Sequence, residues 1–111
     1  MSEDKVSKEV QQKVGQLQMI EQNVQSLMMQ KQMQQAQLME VESALDEMKD
    51  ATQTYKIVGN VMISQKKADL QKEMKEKQEL LKKRLSSLET QEKNIREKAE
   101  ALQEEILKEI K

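Results

Sequence analysis

The sequence predicts a mainly α fold: an antiparallel two-helix coiled coil whose helices are joined by a short β-hairpin. Three observations predict it. Apolar residues recur at alternating three- and four-residue steps on both sides of the midpoint. The midpoint itself gathers β-branched residues around a Gly-Asn pair, and no proline interrupts any of the 111 residues. Composition agrees. Charged residues make up 35% of the chain and Tyr55 is its one aromatic, so burial must come from Leu, Ile, Val and Met spread along a seam.

The first helix is expected over about residues 5–50. With Val10 as an a position, the a series is Val10, Leu17, Val24, Lys31, Leu38 and Leu45. The d series is Val6, Lys13, Ile20, Leu27, Gln34, Val41 and Met48. Ten of these thirteen positions are apolar in a chain that is only 36% hydrophobic, which marks a supercoiled helix. Lys31 and Gln34 interrupt the seam and are expected to fix its register or loosen it locally. Met19, Met29, Met33 and Met39 lie off the seam, as helix formers or as an adaptable surface.

The hairpin is expected over residues 52–65. Two β-prone runs, Tyr55-Lys56-Ile57-Val58 and Val61-Met62-Ile63, flank Gly59-Asn60. A two-residue loop of these types is a hairpin signal, because Gly and Asn tolerate the positive φ that such turns use. The second helix is expected over residues 66–110. Its seam runs through Met74, Gln78, Leu81, Leu85, Leu88, Glu92, Ile95, Ala99, Leu102 and Ile106. Each helix would measure roughly 60–70 Å. Folding about the Gly-Asn turn sets Val58 opposite Val61, and then matches Leu17 with Leu102, Val24 with Ile95, Leu38 with Leu81 and Leu45 with Met74. Each pair joins an a position to a d position, as an antiparallel seam requires.

The hairpin is apolar on both faces: Ile57 and Met62 share one, Val58, Val61 and Ile63 the other. An isolated two-stranded hairpin is marginal in water, and its edges carry unpaired backbone groups. It should therefore oligomerise with other hairpins into a sheet or barrel. At the opposite end both termini meet, bringing Val6, Val10 and Val14 beside Ile106, Leu107 and Ile110. These six either complete the last turns of the coil or offer a sticky patch to an apolar partner.

Nothing in the sequence suggests catalysis or a cofactor. It holds no His, no Cys and no Gly-rich phosphate loop. Residues 1–50 carry 5 basic and 9 acidic side chains and residues 51–111 carry 14 and 11, for a net charge of −1. Such a balance makes no field for nucleic acid, and the lone basic triplet Lys82-Lys83-Arg84 has no aromatic stacking partner. The acidic Met1-Ser2-Glu3-Asp4 start is not expected to be a signal peptide, and no apolar run approaches the ~20 residues of a membrane span. A protein free of membrane and nucleic acid, in the cytoplasm, is the expectation.

Helix, then Tyr55-Lys56-Ile57-Val58-Gly59-Asn60-Val61-Met62-Ile63, then helix resembles the β-type subunit of the prefoldin family, archaeal β subunits and the eukaryotic β-like subunit six included. The likeness covers the whole chain as a single prefoldin-like domain, residues 1–111. Its most specific part is the midpoint Tyr-Lys-x-x-Gly-Asn-x-x-Ile, and one hairpin suits the β type where the α type has two. The resemblance implies an ATP-independent co-chaperone, a hexamer of two α-type and four β-type subunits with hairpins assembled into β-barrels. By position, Tyr55, Ile57, Val58, Gly59, Asn60, Val61, Met62 and Ile63 would form the assembly element. The tips (Val6, Val10, Val14, Ile106, Leu107, Ile110) would hold unfolded proteins and pass them to a group II chaperonin. The alternative is a structural coiled-coil tether or adaptor that binds one folded partner.

Overall fold

The computed structural model describes residues 2–110, with side chains described from Lys8 to Ile110. Four elements follow in order: α1 (Ser2–Met48), β1 (Thr54–Val58), β2 (Val61–Gln65) and α2 (Lys67–Ile110). Straight-chain residues lose little rotamer freedom in a helix, which lets both helices run long. α1 ends two residues before the expected boundary. There Lys49 N–H donates to the Asp46 carbonyl and Ala51 N–H to the Met48 carbonyl, each at 3.3 Å. These tighter bonds satisfy terminal carbonyls and turn the chain toward β1. α2 begins with Asp69 in its first turn and ends with Lys108 in its last, each complementing the helix dipole.

The chain divides into two compact units, Met1–Lys31 with Ser87–Lys111, and Gln32–Ser86. In the first unit, every heptad position from Val10 to Lys31 and from Leu88 to Ile106 is buried or half-buried. Leu27 and Ile106 are its buried apolar residues. Ion pairs fix the direction of packing. Lys13 Nζ lies 3.7 Å from Glu105 and bonds closely to Glu109, while Lys31 Nζ lies 3.8 Å from Glu89 and 3.7 Å from Glu92. Numbers fall along α2 as they rise along α1, so the helices run antiparallel. Two seam lysines thus meet acids from the opposite helix, and their stems cover apolar neighbours.

In the second unit the heptad positions from Gln34 to Met48 and from Met74 to Leu85 are again buried or half-buried. Val41, Met48, Leu70 and Leu81 form the core, with Leu81 only 1% exposed. Lys67 Nζ donates to the Lys49 carbonyl at 2.9 Å, tying the start of α2 to the end of α1. The α2 seam is longer than the sequence reading has it. Lys67, Gln71 and Glu109 continue the same phase and are half-buried, but being polar they gave no apolar signal.

The strands pair antiparallel with Thr54 opposite Gln65, Lys56 opposite Ile63, Ile57 opposite Met62 and Val58 opposite Val61, the expected register. Among the described residues only Gly59 has a positive φ, at 61°. Asn60 therefore does not use the left-handed region that the sequence reading allowed it. A lone positive φ at the first loop position is the pattern of a type II′ turn, whose twist matches paired strands.

Gln34 holds a seam position with its Oε1 buried and unpaired. A polar residue there specifies register at a cost in stability. Gln34→Leu should raise stability by about 1 kcal/mol, seen as a higher urea midpoint at unchanged slope.

Candidate functional site

The site is the hairpin. Alternation of side chains puts Tyr55, Ile57, Met62 and Ser64 on one face and Thr54, Lys56, Val58, Val61, Ile63 and Gln65 on the other. Thr54 at the base is buried, and its hydroxyl donates to the Gln65 carbonyl at 2.6 Å. Beyond that base nothing in the chain covers the ribbon. Ile57 is 70% exposed, Met62 66%, Val61 59% and Val58 51%. Tyr55 and Ile63 are about half exposed, and Gly59 and Asn60 are exposed as well. All eight residues singled out from the sequence therefore sit together on one exposed ribbon.

Only two strands make up the sheet, so each has an outer edge without a ladder partner. A groove of about 590 Å³ opens beside β1, lined by Met48, Leu70 and Met74 as well as by Tyr55 and Ile57. Fully burying a Val, Ile or Met side chain is worth roughly 1.5–3 kcal/mol. Half-exposed side chains retain part of that gain for whatever covers them. Contiguous exposed apolar surface of this kind marks a protein-binding face.

A clasp at the base of the hairpin had no sequence signal. Glu73, two turns into α2, accepts from Lys56 Nζ on β1 and from Gln65 Nε2 on β2, each at 3.0 Å. The Gln65 hydrogen bond first, then Lys56, holds the Glu73 carboxyl below the ordinary glutamate range.

The predicted tip residues separate. Val6 lies outside the residues with described side chains. Ile106 is buried and Val10 half-buried within the seam, so of the two readings given them these two complete the last turns of the coil and form no open patch. A heptad position faces the partner helix, and that geometry outweighs proximity to the terminus. Val14, Leu107 and Ile110 are exposed, Leu107 and Ile110 to 59% and 66%. Beside them Lys13 is held charged: its hydrogen bond to Glu109, with Glu105 and Glu9 nearby, raises its pKa. Met19, Met29, Met33 and Met39 all point to solvent. Among the described residues no helix is long and apolar enough to cross a membrane.

Paired helices that carry an exposed apolar ribbon with open edges define a class of coiled-coil hairpin proteins. The family model described as prefoldin subunit matches residues 11–111. The prefoldin subunit beta of Archaeoglobus fulgidus is 37% identical, over 88% of this chain and 87% of the relative. That of Thermococcus onnurineus is 40% identical over 88% and 87%. The crystal structure of the prefoldin beta subunit from Thermococcus strain KS-1 is similar with a TM-score of 0.83 and 39% identity, covering 88% of this chain and 89% of that one. The chain belongs to the prefoldin subunit family, whose members are chaperone subunits without catalytic activity in general.

Because the folded Glu73 carboxyl titrates below its unfolded value, the clasp contributes stability above the unfolded glutamate pKa and loses it as pH falls through the lower folded one. Tyr55, the only aromatic, reports on the hairpin alone. Its fluorescence should change as acid releases the clasp, and Glu73→Gln should remove that transition while leaving helix content intact.

Proposed function

We propose that the chain is the β-type subunit of a prefoldin co-chaperone and acts as a single prefoldin-like domain over residues 1–111. Four copies would join two α-type subunits, with hairpins closing into β-barrels. The observation that carries this reading is the exposed hairpin, apolar on both faces and open at both edges. Pairing with sister hairpins satisfies the edge groups and buries Ile57, Val58, Val61 and Met62 together. Closure into a barrel removes edges altogether.

Capture of unfolded proteins would fall to the helix tips, where Val14, Leu107 and Ile110 are exposed. Their contacts need no nucleotide: several weak apolar tips on one assembly hold a client by avidity, and each releases readily. Competition at the tips then allows handover to a group II chaperonin in the cytoplasm.

Native mass spectrometry with an α-type subunit tests the assembly. Wild type should give a hexamer of two α and four β chains, and Val58→Asp/Val61→Asp should not assemble. Assembly of that double variant like wild type would remove the basis of the reading. The tips are tested separately by Val14→Ser, Leu107→Ser and Ile110→Ser, all at exposed positions where folding should survive. The triple variant should assemble normally yet lose most suppression of aggregation of chemically unfolded proteins. A tether for one folded partner would suppress no aggregation even as wild type.

A further inference from the structure

Among the described side-chain contacts, the Glu73 clasp joins one residue of α2 to both strands of the hairpin. β2 joins α2 through a single residue, Lys66, whereas β1 joins α1 through the five residues Lys49 to Gln53. Both links sit at the base of the ribbon, and a contact further along α2 adds a point that can fix its angle. Glu73 supplies that point. It reaches back from α2 to Lys56 in the middle of β1 and to Gln65 at the end of β2, so one carboxylate holds both strands.

The clasp also selects a face. Lys56 and Gln65 belong to the side of the ribbon that carries Val58, Val61 and Ile63. On the other side Tyr55 and Ile57 line the groove with Met48, Leu70 and Met74, and Ile57 and Met62 are the two most exposed of the hairpin's large hydrophobic residues. An exposed ion pair contributes little to stability by itself. Its value here lies in orientation, because a ribbon already held at one angle loses less freedom when it pairs with another.

We infer that Glu73 is the positioning residue for assembly: by gripping Lys56 and Gln65 together, it presets the angle at which the hairpin meets the hairpins of sister chains. The inference rests on the hairpin-assembly reading and adds to it a residue outside the hairpin. Alanine is the best helix former, so Glu73→Ala removes the clasp without harming α2.

The experiment measures assembly of the full-length chain with an α-type subunit by analytical ultracentrifugation, with hydrogen exchange of the strand amides in the unassembled chain beside it. Glu73→Ala should weaken assembly about tenfold or more and speed exchange across Thr54–Val58 and Val61–Gln65, with circular dichroism unchanged. Lys56→Glu should weaken assembly similarly, and the exchanged pair Lys56→Glu/Glu73→Lys should restore most of it, an outcome no loss of helix stability would produce. Glu73→Ala assembling as tightly as wild type, while Val58→Asp/Val61→Asp does not assemble, would overturn the clasp alone. Normal assembly of Val58→Asp/Val61→Asp would overturn both the clasp and the assembly reading.

Discussion

A two-stranded ribbon cannot hide its own side chains, since each of its faces needs a second layer and each strand needs a neighbour on its outer edge. In this chain the ribbon carries Ile57, Val58, Val61, Met62 and Ile63 with no layer of its own to cover them. Only Thr54 and Gln65 at the base are drawn in. The helices satisfy their apolar residues internally along a seam; the hairpin does not. That unequal division is the physical basis for proposing that the middle of the sequence does the joining.

The helices show how polar residues can occupy a seam. Lys13 and Lys31 stand at heptad positions yet keep their charged ends at carboxylates of the opposite helix, at Glu105 and Glu109 and at Glu89 and Glu92. The pairs are partly exposed, so their net contribution to stability is small. Their effect is on register. Sliding one helix by a heptad would leave each lysine beside an apolar residue instead of an acid, and such mismatches discriminate between otherwise equivalent apolar seams. Gln34, with an unpaired oxygen, stands at a seam position without a comparable partner.

Most of the fold was legible in the sequence because its signals are periodic. Alternating three- and four-residue steps located both helices, and Gly59-Asn60 located the turn and hence the register of Val58 with Val61. Legibility ended at polar seam positions and at Leu70, a buried apolar residue that lies off the heptad phase of α2. Lys67, Gln71 and Glu109 continue the α2 phase, and extending that phase beyond Met74 and Ile106 would have found them. Glu73 was beyond any such rule, because its partners Lys56 and Gln65 come from a hairpin whose angle to α2 is a tertiary property. At the tips the sequence left two readings open. Of these, completion of the coil's last turns describes Val10 and Ile106, which the heptad sets against the partner helix, while Val14, Leu107 and Ile110 are exposed.

On the reading proposed above, in which the exposed tip residues hold clients, client holding would depend on assembly. A surface of the size that Val14, Leu107 and Ile110 offer returns on the order of a few kcal/mol when covered, and about 4 kcal/mol corresponds only to millimolar affinity. A lone chain with such a tip would release an unfolded protein almost as soon as it met one. Chains joined through their hairpins, as proposed, would place several tips within reach of the same client, and each second contact would form at a high effective concentration. On that reading the ribbon would govern client binding through assembly alone. A chain that keeps its tips but cannot pair its strands has weak contacts and no means to combine them.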